Sequence, residues 1–511
     1  MYQRPRGDIT TVLDLTDRDA QDNTYFPLDA EGSWFHSEAR TTHPTTLSIQ
    51  EFAQRGPAEW GGRFSFEIGS LATMGDLLQS VMLQIRLGHW YDASVLYALA
   101  RGEITTDVGV GGVGGYSEDY WTFCNSLGTV IIDHADLVVN EQLIERITGE
   151  WCRVWQTLGM DRGSAVGVAA DAVGFVAPRR LSRPEVLGTA FHPRRPYPVE
   201  DGLYQCVLPF FFLRGGLTET FPLLSCHEGS VRIDVQLRPF EDVVRRFVGW
   251  RAGCSDMPLG RAVRFVSTSI GGSEVVAQTS AVRPAFRDFR IITASVLLGA
   301  EMRRKFLRRP FEQLVRLVQT FSFEEPLKYL VSKANGVAGD VVDIQLPLEL
   351  NHPVVELVWV LRRRGVRENN EWANFTPVLE RESAGSGAGR VFPSWLVEAT
   401  VRVNGSEVVR ADGDWFREQV AGIHSGGVRA WDAGVYGYSF SRNPESHQPS
   451  GSANMSRATS VTLGMRVRTP IAASMPAVGP AADGGWEVFV FAVHYQWLRF
   501  QNGLCSRIFA D

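Results

Sequence analysis

Alternation of side chains with a period of two recurs along this chain, and no other feature limits its folding as much. Phe64, Phe66 and Ile68 alternate with Ser65 and Glu67, and Val81, Leu83, Ile85 and Leu87 alternate with Met82, Gln84 and Arg86. Val231 to Arg238 alternates apolar with polar without a break. A period of two sends one set of side chains to one face, so each run is a strand with one face buried. Such a strand needs a second layer over its apolar face, and a chain with many of them closes into sandwiches or barrels. The 50 Gly and 25 Pro supply tight turns, and the 29 Phe and 14 Trp supply bulky core material. The expected class is all-β.

At 511 residues the chain exceeds one ordinary core, so two large domains are expected. Gly249 to Pro284 has the composition of a linker, with Gly253, Pro258, Gly260, Gly271 and Gly272 and little patterning. The expected division is therefore an arm and first strand over 1–50, a first domain over 51–248, a linker over 249–285 and a second domain over 286–511. Within the first domain, Val130 to Val139 reads as a buried strand. Leu143, Ile144, Ile147, Trp151, Val154, Trp155 and Leu158 recur at helical steps, and Val207 to Phe212 reads as another strand. In the second domain, Ile291 to Leu298 reads as a strand, Glu301 to Arg308 as a short basic helix stopped by Pro310, and Val488 to Phe500 as the last strand, ending near Asn502-Gly503. No close residue-level repeat links the two halves.

Several function classes are disfavoured on chemical grounds. A net charge of −6 argues against a surface built to bind nucleic acid. The six cysteines, Cys124, Cys152, Cys206, Cys226, Cys254 and Cys505, lack metal-ligand spacing, which fits a reducing compartment. The first residues have no signal-like apolar stretch, and no run of about 18 apolar residues follows, so a soluble, non-secreted protein is expected. Gly109 to Gly115 is glycine-rich but is followed by Tyr116-Ser117-Glu118-Asp119 rather than by Lys-Ser or Lys-Thr, so it reads as a loop and not a phosphate cradle. His227-Glu228 has no second His at helical spacing. Glu118 with Asp119, and Asp412 with Asp414, are the acid pairs a glycosidase could use, but adjacent acids in polar loops are solvated charges. Arg6-Gly7-Asp8 and the sequons at Asn374, Asn404 and Asn454 are short motifs without supporting context. The expected catalytic, cofactor-binding and metal-binding residues are none, and the chain is not expected to be an enzyme.

One long stretch carries a resemblance. Gly434 to Phe440 is an aromatic strand that runs into Ser441-Arg442-Asn443-Pro444-Glu445-Ser446-His447-Gln448-Pro449-Ser450-Gly451, then Asn454-Met455-Ser456-Arg457 and a strand at Val461 to Met465. It resembles a segment of the major capsid proteins of the nucleocytoplasmic large DNA viruses. Further blocks resemble that family in the same order: Arg40-Thr41-Thr42-His43; Gly75-Asp76-Leu77 with Leu83 and Ile85; Asn125-Ser126-Leu127-Gly128 with Gly149-Glu150-Trp151; Leu223 with His227-Glu228; and Asn351-His352-Pro353 with Glu356, Leu357 and Trp359. The resemblance implies two tandem eight-stranded jelly-roll sandwiches with short helices in the excursions between strands. It implies a homotrimer forming a pseudo-hexagonal capsomer in the virion shell, beside neighbouring capsomers and above minor capsid proteins. It implies assembly in the host cytoplasm, no direct contact with nucleic acid, and at most an indirect relation to an inner viral membrane. The alternatives are a minor capsid or assembly-scaffold protein of the same fold, and a lectin-like carbohydrate-binding sandwich.

Overall fold

The computed structural model describes residues 45–68, 75–88, 104–106, 119–124, 126–159, 202–213, 219–248, 251–253, 262–268, 274–280, 283–326, 341–363, 372, 375, 394–424, 434–446, 448–468 and 485–509. Arg6-Gly7-Asp8, Arg40 to His43, Gly109 to Gly115, Glu118, Cys254, Asn374 and His447 lie outside the described residues.

Alternating residues produce the strands β1 (Thr45–Ala53), β2 (Arg63–Glu67) and β3 (Leu77–Leu87), followed by two short strands, β4 (Ile104–Thr106) and β5 (Asp119–Phe123). The hairpin of β6 (Ile132–Val139) and β7 (Gln142–Thr148) runs straight into helix α1 (Gly149–Gly159). Then come β8 (Gly202–Val207), β9 (Val231–Leu237), β10 (Val244–Val248), β11 (Arg251–Gly253), β12 (Ala262–Thr268), β13 (Glu274–Ser280) and β14 (Phe286–Leu298). Eight of these strands pair into two antiparallel sheets, ordered β1-β14-β3-β8 and β2-β9-β6-β7. Numbered along the chain, the first, eighth, third and sixth strands face the second, seventh, fourth and fifth. That order is a jelly roll, which buries two apolar faces against each other.

Helix α2 (Ala300–Arg308) separates this roll from the next, and none of its residues is buried. The second set is β15 (Phe311–Pro326), β16 (Val341–Leu348), β17 (Pro353–Arg363), β18 (Leu396–Val403), β19 (Ser406–Asp412), helix α3 (Gly413–Ile423), β20 (Val435–Ser439), β21 (Ala453–Asn454), β22 (Val461–Arg468), β23 (Gly485–Gln501) and β24 (Leu504–Arg507). Its sheets are β15-β23-β17-β20 and β16-β22-β18-β19, with β21 added to β17 and β24 to β23. The strand order is the same as in the first roll, and in both rolls a helix follows the fifth strand.

Pairing moves the junction away from its expected position. β14 lies between β1 and β3 and closes the first roll, so the division near Pro284 falls one strand too early. The supposed linker over 249–285 is not a tether. Its strands β11 to β13 join β10, which lies just before it, and β5 and β4 from the excursion between β3 and β6, in two three-stranded sheets. Four local readings also shift. Leu143, Ile144 and Ile147 belong to β7, so the helix starts only at Gly149; the strand expected from Val130 starts at Ile132 after a helical turn over Leu127–Val130. Phe211 and Phe212 leave the strand for a buried 3-10 turn, and β24 follows the strand expected to be last. Asn502 (φ 54°) and Gly503 (φ 76°) turn that final hairpin, as Asn404 (φ 52°) and Gly405 (φ 80°) turn the one between β18 and β19. Two consecutive positive φ values suit Asn-Gly at low steric cost.

Leu357, Trp359 and Leu361 fill the core of the second roll, whereas Val358, Val360, Phe491 and Val493 join the core of the first. The β15-β23-β17-β20 sheet is thus buried on both faces. That accounts for the continuous apolar runs in β17 and β23, where one wet face would have produced alternation.

Candidate assembly surfaces

The two post-strand helices begin alike. α1 opens Gly149-Glu150-Trp151-Cys152-Arg153 and α3 opens Gly413-Asp414-Trp415-Phe416-Arg417. This short echo is a local exception to the absence of a close repeat, and it stands out only once strand order aligns the rolls. Each glycine is required by close approach. A Cβ on Gly149 would lie 2.3 Å from the Ile132 carbonyl oxygen, and one on Gly413 would lie 2.0 Å from that of Leu396. Ile132 and Leu396 each start the fourth strand of their roll, so the helix rests on backbone in both. Asp412, one of the acids considered for glycosidase chemistry, accepts a hydrogen bond from the Trp415 amide at 2.7 Å and caps α3.

Glu150 organises the junction between the rolls. Arg238, just after β9, donates to its Oε1 at 2.6 Å, and Arg362 on β17 donates to the same oxygen at 3.2 Å. Arg362 also reaches Glu487 on β23 at 2.6 Å and donates to the Trp372 carbonyl at 3.0 Å. Arg362 lies over the rings of Trp372 and Phe489, 4.9 and 4.7 Å from their centroids, and Arg238 lies 4.6 Å from that of Trp372. Burial alone would raise the Glu150 carboxyl, but the two guanidinium groups outweigh it and hold the pKa down to about 2. Beside this network the Trp151 ring packs on Phe491 at 5.1 Å. A fixed cluster of four charges inside an apolar contact sets the register of two surfaces that could otherwise slide.

A second contact involves the stretch that carried the resemblance. Arg316 on β15 donates to the Pro444 carbonyl and holds Glu219 of the first roll at 3.0 Å through both carboxylate oxygens. The turn is closed by Ser450, whose Oγ lies 2.6 Å from that of Ser441 and accepts from the Asn443 amide at 2.9 Å. Its Glu445 lies 3.2 Å from His424 Nδ1 at the end of α3, while Nε2 of the same ring lies 3.0 Å from buried Glu356 on β17. Burial opposes the imidazolium, yet the two carboxylates raise His424 to about 10. The long turn is therefore a brace between a helix end, a sheet and the first roll.

Several other candidate residues sit in turns and packing contacts. The Glu228 amide donates to the Gly503 carbonyl at 3.1 Å, placing the His227-Glu228 pair against the hairpin between β23 and β24. Cys226 and Cys505 share a thiol hydrogen bond across the same contact, and that bond together with burial pushes the Cys226 thiol well above its ordinary value. All five described cysteines are buried free thiols. Asn404 Oδ1 accepts from the Thr459 amide at 2.7 Å and Asn454 Oδ1 from the Ser456 amide at 3.2 Å, so both sequon side chains serve turns. Among the described residues no group of three or more His, Cys, Asp or Glu could hold a metal ion, and no helix is long and apolar enough to cross a membrane.

Among the described residues, one sheet face carries exposed apolar side chains. The outer side of the β1-β14-β3-β8 sheet carries Leu47 at 66% and Ile49 at 72% exposure, beside half-buried Ile292 and Met82. Exposed apolar side chains grouped on a sheet face mark an interaction surface. This one is missed by sequence reasoning, because Leu47 and Ile49 lie at the end of the polar stretch over 1–50 that reads as an arm and first strand.

Comparison with known proteins agrees in family and in fold. The family profile described as large eukaryotic DNA virus major capsid protein matches residues 303–506, and that described as major capsid protein N-terminus matches residues 33–263. The chain is 21% identical to the major capsid protein of Phaeocystis pouchetii virus over 92% of its own length and 94% of that protein. It is 22% identical to that of Pyramimonas orientalis virus, over 74% and 76%. Among solved structures, the Faustovirus major capsid protein superposes with a TM-score of 0.63 at 12% identity, covering 97% of this chain and 96% of that one. A chain of the PBCV-1 virus capsid superposes with a TM-score of 0.58 at 15% identity, covering 94% and 100%.

Proposed function

The chain belongs to the family of major capsid proteins of large eukaryotic DNA viruses, and from that premise we propose that three copies close into a pseudo-hexagonal capsomer, the tile of the virion shell. A major capsid protein acts by packing, so the surfaces described above stand where an active site would stand in an enzyme. The observation that carries the trimer is the uncovered outer face of the β1-β14-β3-β8 sheet. Its counterpart in the second roll, the outer face of β15-β23-β17-β20, is buried against the first roll. A face that is covered in one roll and open in its structural equivalent calls for another roll, and six rolls around one axis are three chains. An interface between unlike faces closes into a ring when its rotation allows.

Neighbouring capsomers would meet through smaller and more polar contacts than those within the trimer. Minor capsid proteins beneath the shell and assembly in the host cytoplasm complete the reading. The purified chain is expected to scatter light as a species near three times the 56.7 kDa protomer and to form hexagonal arrays on a grid. A protomer that stays single at high concentration would overturn it.

A further inference from the structure

The junction inside one chain joins unlike surfaces. The outer sheet face of the second roll meets the helix start and fifth strand of the first. Each roll therefore owns both kinds of surface, and one of each remains: the sheet face of the first roll, and the helix start of the second with its fifth strand. Resting on the capsomer reading, we propose that these two remaining surfaces join copy to copy and reproduce the internal junction, with Arg86 of one copy facing Asp414 of the next.

The sheet halves correspond residue by residue. In the second roll Arg362 stands opposite Glu487, and four residues earlier Val358 stands opposite Phe491, the ring that receives Trp151. In the first roll Arg86 stands opposite Asp288, and four residues earlier Met82 stands opposite Ile292, on the outer face. Two residues further along the eighth strand, Val493 pairs with Val318 and Ala294 pairs with Ile49. Val318 is 8% exposed and Ile49 72%. The same position is sealed in one roll and open in the other.

The helix halves correspond as well. In the first roll, pairing of β7 with β6 skips Ile144; in the second, pairing of β19 with β18 skips Val408. Each of these bulged residues lies five positions before the glycine that starts the helix. Ile144 is 2% exposed and Val408 43%. Glu150 is held by Arg362 with a side chain 7% exposed, whereas Asp414, its counterpart, has a side chain 62% exposed and only a 3.5 Å contact to Arg417 of its own helix. Trp415 is half-buried where Trp151 is buried. Charge and shape both match: Asp414 of a second copy reaches Arg86 as Glu150 reaches Arg362, and its Trp415 covers Met82 and Ile292 as Trp151 covers Phe491.

Light scattering on the full chain across a dilution series tests this. Wild type should be trimeric. R86E and D414R should each raise the concentration of half-dissociation by about tenfold or more, and the double charge swap should recover most of that loss, as expected of a close charge pair. I49E alters a residue that the protomer fold does not bury, and it should weaken the trimer about as much while leaving the protomer's unfolding temperature unchanged. A trimer that I49E leaves as tight as wild type overturns the proposed interface while the capsomer reading stands. A weak I49E trimer with a double swap no tighter than the singles overturns the Arg86–Asp414 pairing. A wild type that never leaves the monomer overturns both interface and capsomer.

Discussion

Gly149 and Glu150 are consecutive in sequence and are conditioned by different parts of the molecule. A Gly→Ala change inside an exposed helix gains about 1 kcal/mol of propensity. At Gly149 the new Cβ would meet the backbone oxygens of Ile132 and Thr129 at 2.3 and 2.6 Å, and backbone cannot rotate aside as a side chain can. G149A is therefore expected to destabilise the chain by about 1–3 kcal/mol, a typical cost of overpacking, read as a lower midpoint in urea; an unchanged or higher midpoint would show that the helix shifts freely. Glu150 gives a pH signature. Its carboxyl is held at about 2 in the fold against an ordinary 4.5, so it contributes stability above pH 4.5 that is lost as pH falls toward 2. E150Q should flatten that limb of the stability profile and, because it leaves Arg238 and Arg362 without their shared charge, cost about 3 kcal/mol at neutral pH. An acid limb identical in both proteins would remove Glu150 as its source. Neither residue's role is legible in sequence. Arg238 and Arg362 lie 88 and 212 positions from Glu150, and only the echo of Gly-acid-Trp-x-Arg in the second half hints that an acid before that Trp is placed for a purpose.

At the scale of elements, legibility follows wetness. β2, β3 and β9 could be read because the residues on one face of each alternate with polar side chains. β17 and β23 could be read as strands from their apolar runs, but not as sheets covered on both sides. Nothing local marks β14 as the eighth strand of the first roll, because pairing partners leave no trace in local pattern. β11 to β13 fall in the stretch with linker composition, because short strands in Gly-rich excursions lack a long enough run to show a period. The brace around α3 gives the prediction that belongs here. Among the described residues, Glu356 and Glu445 carry the ion pairs to His424, and they raise it from 6.5 to about 10. The stability His424 contributes is complete below pH 6.5 and fades as pH rises toward 10. Wild type should thus lose melting temperature over that interval, and H424Q should lose less. Equal slopes in the two proteins would place the alkaline sensitivity elsewhere. Because α3 also presents Asp414, loosening its far end at high pH should weaken the trimer along with the protomer.

For the whole molecule, the two rolls are packed as one compact unit despite having two sandwiches. The core of the first roll includes Val358, Val360, Phe491 and Val493 of the second, and Glu150, Arg238, Arg362 and Glu487 form one buried charged group across the boundary. Unfolding either roll alone would expose that apolar face and leave buried charges without partners, at a cost of several kcal/mol. Chains of this length commonly unfold in separable steps, so the prediction is specific. Under conditions that keep the chain monomeric, calorimetry should show one transition for residues 45–509, with the van't Hoff enthalpy close to the calorimetric one. W151A removes the ring that bridges the boundary to Phe491 at 5.1 Å and should cost about 3–5 kcal/mol. It should also broaden or split that transition, because the rolls then share less surface. Two resolved transitions in the wild type would mean that the junction is a hinge. A hinge could not fix the angle between successive rolls, and that angle is what lets three copies close on a ring and not run on as a filament.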